Sequence, residues 1–371
     1  MPVSSEQILA ALRHVRDPDL HRDIVDLGFV KNIVIEGASV RFDVELTTPA
    51  CPVKEDLKRQ CEFMVKALPG VETVEVNMTA QPAREGLTGQ RTELLRDVRH
   101  IVAVASGKGG VGKSTATANL AVALARAGAK VGVLDADIYG PSMNLMFHVN
   151  AVPVINEQKK LIPVTVLLGI KVVSMAMFSD DEKPVIWRGP MVSQMIQNFV
   201  NNVVWGELDY LLIDMPPGTG DVHLTLTQTA PLSGAVILTT PQEVSVLDAK
   251  KGLKMFQQVS VPVLGIIENM SYFICDACSK RHYIFRQGGG KRIAESLGVP
   301  FLGEIPIEPA VSEGGDKGVP VVDRHPDSPA GAAYRHIAGT IAASLSVLSA
   351  TQGDVLGKFD LKWEELKELQ K

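Results

Sequence analysis

The chain has 371 residues, 46% of them hydrophobic and 21% charged, and its formal net charge is -5. That length predicts two domains, or one large domain with an appendage, and the balance is ordinary for a water-soluble globular protein. The acidic excess gives no reason to expect nucleic-acid binding, and no uninterrupted apolar run approaches the length of a membrane span. The opening MPVSSEQ has no basic region followed by an apolar core, so the expected location is the cytoplasm. Four cysteines in so long a chain do not make a disulfide framework.

Residues 4–15 carry Ile8, Leu9, Leu12 and Val15 on one helical face, with Ser4 and Gln7 at capping-box spacing. Residues 29–35 and 40–46 alternate as strands around Gly37, residues 53–68 read as a helix, and residues 71–78 as a third strand. A small α+β domain over 1–80 is expected. Residues 81–99 are polar, contain Pro82, Gly86 and Gly89, and read as a linker.

From residue 101 apolar strands alternate with helices, as in a mainly parallel sheet covered on both faces. The strands at 101–105, 131–134, 210–213, 235–238, 263–267 and 301–305 are mostly followed by polar residues, where open α/β sheets bind ligands. Helices are expected at 115–127, 190–204, 244–259 and 329–348. The expected α/β domain spans 100–350. The tail, 351–371, has Phe359, Trp363 and Leu366 on one helical face, but its mixed charge favours docking on protein over a membrane surface.

Residues 107–115, GKGGVGKST, fit the phosphate-binding pattern G-x-x-x-x-G-K-[ST] between a strand and a helix. Gly107, Gly109, Gly110, Val111 and Gly112 would turn backbone N–H groups toward phosphate oxygens. The helix start at Lys113, Ser114 and Thr115 adds its partial positive charge. Lys113 is expected on the β- and γ-phosphates and Ser114 on Mg²⁺. The backbone N–H of Gly218, in DMPPGTGD (214–221), is placed to sense the γ-phosphate.

The loop with its early lysine resembles that of MinD/ParA-class ATPases. The resemblance implies an ATP-dependent homodimer in which Lys108 reaches the partner's nucleotide. It further implies that Asp137 orients the attacking water, that Asp135 and Asp214 lie beside Mg²⁺, and that Asn269 recognises adenine.

Cys275-Asp276-Ala277-Cys278 lies in a loop after a strand. One C-x-x-C does not complete a metal site, and adding the nearby His282 does not complete it either. Two facing chains supply four thiolates, which satisfy either a [4Fe–4S] cluster or zinc. The strings DADIYGPS (135–142), WRGPMV (187–192), ENMSYFICDAC (268–278), FRQGGGKR (285–292) and GEIPIEP (303–309), with those above, resemble the Mrp family of iron–sulfur cluster carrier ATPases. That resemblance implies a dimer-bridging [4Fe–4S] cluster on Cys275 and Cys278 that is delivered to apoproteins; the expected ATPase is slow and regulatory, with zinc the alternative occupant of the cysteines in protein isolated in air. Its partners would be apo iron–sulfur proteins and cluster donors. DPDLHRDIVDLGFV (17–30) and VELTTPACPVKEDL (44–57) resemble the small domain fused to such proteins, with Cys51 at its reactive thiol position. The rival readings are a MinD/ParA-like positioning ATPase with zinc or no metal at the cysteines, and an ATP-driven electron donor.

Overall fold

The computed structural model describes residues 3–17, 22–50, 53–80, 95–138, 140–149, 151–178 and 189–357. Cys51, most of the expected linker (81–94) and the tail from 358 lie outside the described residues.

The chain begins with α1 (Ser5–Leu12), whose capping box is formed as expected: Ser4 accepts from the Gln7 N–H, and the Gln7 side chain accepts from the Ser4 N–H. Strands β1 (Val30–Glu36) and β2 (Ser39–Leu46) form an antiparallel hairpin. Helix α2 (Lys54–Lys66) then crosses to β3 (Thr73–Ala80), which lies parallel to β2. Ile8, Leu12, Phe42 and Leu57 close this core, with Cys61 fully buried among them. Burial pushes the Cys61 thiol up to about 12, so it stays a protonated apolar group.

Next come β4 (Val98–Ser106), α3 (Lys113–Arg126), β5 (Val131–Asp135) and the short α4 (Met143–Met146). An irregular stretch follows, with β6 (Val154–Ile155), β7 (Leu161–Ile162), β8 (Val164–Thr165) and β9 (Lys171–Ser174). Then come α5 (Gly189–Asn202), β10 (Leu208–Asp214), α6 (Asp221–Thr229), β11 (Gly234–Thr239), α7 (Glu243–Gln258) and β12 (Val263–Glu268). The chain continues through β13 (Phe273–Ile274), β14 (Arg281–His282), α8 (Gly289–Leu297), β15 (Phe301–Glu304), α9 (Pro309–Lys317) and α10 (Val321–Arg324) to α11 (Pro329–Gly357).

Among the described residues the large sheet has eight strands in the order β15-β12-β11-β4-β10-β5-β9-β8. All pair in parallel except β8 with β9. The apolar strands divide their side chains by parity, as pleated strands must. Val102, Tyr210, Leu212, Val236 and Leu238 face one core, with α3 and α11. Ile101, Ala103, Leu211, Ile213 and Ile237 face the other, with α5 and α7.

Several boundaries differ from expectation by a few residues, α1 ending at Leu12 rather than near Val15 and β10 starting at Leu208 rather than Tyr210. Strand β4 starts at Val98, three residues early, because Leu208 pairs with Val98 and extends the ladder. Helix α11 runs nine residues past 348, since Ser349 to Gln352 include no breaker and a single glycine costs a helix only about 1 kcal/mol. The two-residue strands between 154 and 165 were not anticipated, being too short for a periodic signal.

The small sheet and the large one meet at Thr48, whose hydroxyl shares a buried 2.5 Å hydrogen bond with the Tyr210 hydroxyl. Ala50 packs into the core on the α3 side. Tyr210 sits near the start of β10, at the opposite end of that strand from Asp214.

Candidate functional site: a phosphate cradle beside a two-cysteine hairpin

The loop between β4 and α3 takes its shape from glycine at two positions. Gly112, with φ +83°, caps α3 in the left-handed region, and a Cβ there would fall 2.3 Å from the Asn269 Nδ2. Gly107 rests on α7: a Cβ would lie 2.2 Å from the Asp248 carbonyl carbon. The loop and the start of α3 enclose a cleft of about 260 Å³, lined by Lys108, Gly110, Lys113, Ser114, Asp137 and Pro217, among others. Gly109 and Thr115 also line it, whereas Val111 is buried beneath it.

Inside the cleft Lys113 is buried, with its Nζ 2.7 Å from Asp214 Oδ1 and 3.7 Å from Asp137 Oδ2. Asp214 also accepts from the Ser114 hydroxyl at 2.6 Å and from the Thr117 hydroxyl at 3.0 Å. Hydroxyl and carboxylate oxygens are the hard donors that Mg²⁺ takes, so Ser114 and Asp214 fit that ion.

Asp135 and Asp214 are direct register partners at the ends of β5 and β10. Burial first, and then the Asp214 charge, push the Asp135 carboxyl up to about 7. Asp135 turns into the protein. Its oxygens accept from the Asp137, Ser142 and Met143 N–H groups and from the Ser174 hydroxyl, tying down the chain that enters α4. Asp137, two residues on, lines the cleft and accepts from the Gly140 N–H at 3.2 Å.

Gly218 has φ +96°, and its N–H donates to the Ser106 carbonyl at 3.0 Å, just before the phosphate loop. Asn269 is buried at the end of β12, and its Nδ2 donates to the Val111 carbonyl at 2.8 Å. Its amide therefore braces the phosphate loop from behind, a role that its position in the sequence did not suggest.

His223 was also missed. It lies on α6, 1% exposed, below the Asp214–Asp221 segment, and neither ring nitrogen makes a sound hydrogen bond. Burial above all, partly offset by the Pro216 carbonyl and reinforced by the Lys113 charge, pushes its pKa down to about 4. A single histidine beside DMPPGTGD carries no sequence signal that separates it from a surface one.

Six residues beyond Asn269 the chain reaches Cys275. Cys275 and Cys278 cap the β13–β14 hairpin, in which Phe273 pairs with His282. The N–H groups of Ala277 and Cys278 aim at the Cys275 sulfur and lower its pKa. The hairpin is anchored at its base, where Tyr272 is buried and accepts the Ile307 N–H on its carbonyl. The Arg281 guanidinium lies 4.4 Å from the centre of the Tyr272 ring. Cys51 lies outside the described residues.

A strand, a glycine loop and a helix on a parallel sheet, with a cleft lysine paired to Asp137 and Asp214, define a P-loop nucleotide-binding protein of the MinD/ParA fold. The chain belongs to the iron-transfer P-loop NTPases: residues 97–342 match the family described as NUBPL iron-transfer P-loop NTPase, and residues 5–77 match the iron–sulfur cluster assembly protein family. It is 50% identical over 350 residues to an iron–sulfur cluster carrier protein of Synechocystis sp., covering 93% of this chain and 99% of that one. A second such protein, from Deinococcus radiodurans, is 43% identical over 355 residues, covering 94% and 97%. Among solved structures, the nucleotide-binding protein of Archaeoglobus fulgidus in complex with ADP, with cobalt found in it, aligns at 43% identity and a TM-score of 0.54. That alignment covers 61% of this chain and 89% of the other. The cell-division ATPase MinD of Pyrococcus furiosus, 24% identical with a TM-score of 0.50 over 65% and 98% of the two chains, shares the fold.

Proposed function

We propose that this protein is an ATP-hydrolysing carrier whose cargo is a [4Fe–4S] cluster held between two copies of the chain and passed to apoproteins in the cytoplasm. The observation that carries the reading is the placement of the cysteine hairpin. It grows from the same strand end whose Asn269 holds the phosphate loop, so the nucleotide and the thiols share one short piece of backbone.

Lys113 is held by Asp214. ATP draws the Lys113 ammonium onto its β- and γ-phosphates, which frees the Asp214 carboxylate from that ion pair. Ser114 and Asp214 would hold Mg²⁺, which would supply positive charge against the phosphates. Asp137, in the cleft and within reach of Lys113, orients the attacking water, and Gly218 presents its N–H near the γ-phosphate once it leaves the Ser106 carbonyl. Asp135 supports the metal side indirectly by fixing the chain that carries Asp137. Asn269 acts first as a brace for the loop, with adenine beyond it.

A second copy of the chain is supported by an exposed apolar surface flanking both sites. Val244 and Leu247 on α7, and Ile284 and Phe285 after the hairpin, are open to solvent, and the Glu243–Arg286 ion pair ties the two groups together. Joining two chains there covers this surface, carries Lys108 toward the partner's phosphates and supplies two further thiolates. Cys51 is a candidate transfer thiol. The surface-binding alternative leaves the cysteine hairpin without a use.

The test is iron, sulfide and zinc content, with an absorption spectrum, on protein reconstituted without oxygen, beside the Cys275→Ala/Cys278→Ala variant. About four irons per pair of chains, absent in the variant while ATP still binds, is the expected result. Stoichiometric zinc with no iron under the same conditions would refute it.

A further inference from the structure

One ligand atom from each of Cys275, Cys278 and His282 lies within 4.8 Å of the other two. Ligands on one tetrahedral ion lie roughly 3.5 Å apart, given metal–sulfur bonds of about 2.3 Å and metal–nitrogen bonds of about 2.0 Å. The three ligand atoms thus stand at most about 1.3 Å from the spacing an ion requires.

The scaffold holding the three is specific. Ser279 adopts φ +55°, turning the chain back after the second cysteine. Its N–H donates to the Cys275 carbonyl at 2.7 Å, and the Cys275 N–H donates to the Lys280 carbonyl at 3.0 Å. This closed turn sets the register that pairs His282 with Phe273. Neighbouring residues of a strand face opposite ways. With Arg281 drawn over Tyr272 on one face, the imidazole of His282 is left on the other, beside the sulfurs.

We propose that in a single chain Cys275, Cys278 and His282 together hold one divalent cation of borderline softness, Zn²⁺, Fe²⁺ or Co²⁺, with water in the fourth position. Two thiolates and an imidazole suit such ions and exclude Mg²⁺ and Ca²⁺, which require oxygen. The site rests on the reading of the two cysteines as metal ligands and gives the single chain a state of its own. In the shared site the four thiolates of two chains each hold one iron of the cluster, and no position is left for His282. His282 is then the group that keeps the thiols metallated when no partner is present, and the one displaced when two chains close on a cluster.

The experiment uses the full chain, stripped of metal and free of nucleotide, titrated with Co²⁺. The expected product is one cobalt per chain, with a sulfur-to-metal charge-transfer band and the intense visible bands of a tetrahedral ion. X-ray absorption on the zinc form is expected to show two sulfurs and an imidazole. His282→Ala should lose the imidazole signal and at least about tenfold in affinity, the lower end of what losing even an indirect partner of a metal ligand costs. Its unchanged ATP binding would show that it is folded. Equal affinity and spectrum in His282→Ala would overturn the proposal, as would one cobalt per two chains in a four-sulfur shell. Iron loading separates this proposal from the cluster reading. A chain that takes one cobalt on Cys275, Cys278 and His282 but never four irons per pair keeps the single-chain site and loses the cluster. A His282→Ala variant that loads four irons normally while failing to hold cobalt supports both.

Discussion

Asn269→Ala tests whether the phosphate loop is held from behind or whether this side chain reads the base. The Nδ2 donates to the carbonyl of Val111, a residue 2% exposed, and sits against the α-carbon of Gly112. Removing the donor strands that carbonyl without its partner, at a cost of about 1–3 kcal/mol. If the whole cost falls on the loop geometry that ATP requires, affinity drops by roughly 5- to 150-fold, at about 1.4 kcal/mol per tenfold. Asn269→Asp should be at least as damaging, because a carboxylate cannot donate and faces the carbonyl with like charge. Titration calorimetry with ATP, GTP and tripolyphosphate reads the outcome. The brace predicts the same fractional loss for all three, since the loop backbone contacts only phosphate. A loss confined to ATP would refute the brace and make Asn269 a base reader; less than a twofold loss for every ligand would refute both.

Three further outcomes follow from geometry. The folded state lowers the His223 pKa from 6.5 to about 4, so the stabilisation linked to it is complete above pH ~6.5 and is lost as pH falls through ~4. The shift corresponds to roughly 3 kcal/mol at ~1.36 kcal/mol per unit. Hydrogen exchange across 214–229 should show that loss in the native protein and a flatter profile in His223→Gln; parallel profiles would exclude His223 as the cause. Val244→Glu with Leu247→Glu should abolish ATP-dependent association in sedimentation while leaving ATP affinity within about twofold, as charge on an exposed apolar patch costs its partner contact and not its own fold. Tyr210→Phe should loosen residues 47–50 by about 1 kcal/mol, the net worth of one hydrogen bond, read as faster amide exchange there; unchanged exchange would mean that the Thr48 bond contributes nothing.

The phosphate loop could be read directly because its chemistry is contiguous. Nine residues between a strand and a helix carry the turn, the lysine and the hydroxyl together. The parallel sheet was legible for a similar reason, each strand being a buried apolar run. What the sequence does not carry is which way a side chain turns at a strand end. Asp135 and Asp137 belong to one motif, yet one points inward to hold α4 and the other lines the cleft. Asn269 looks like a residue after a strand, and its brace exists only because β12 ends behind Gly112. His282 lies four residues past the second cysteine, a distance that means little until a hairpin folds it back.

Gly107 carries one further consequence. It lies on the backbone of Asp248 with no space for even a methyl group between them. Side chains are the compliant layer of a protein, and at this point that layer is missing. The outward face of the same helix bears Val244 and Leu247. A load applied there passes to the phosphate loop as through two stones in a dry wall, with nothing soft to take it up, and a change in the loop returns to the surface by the same route.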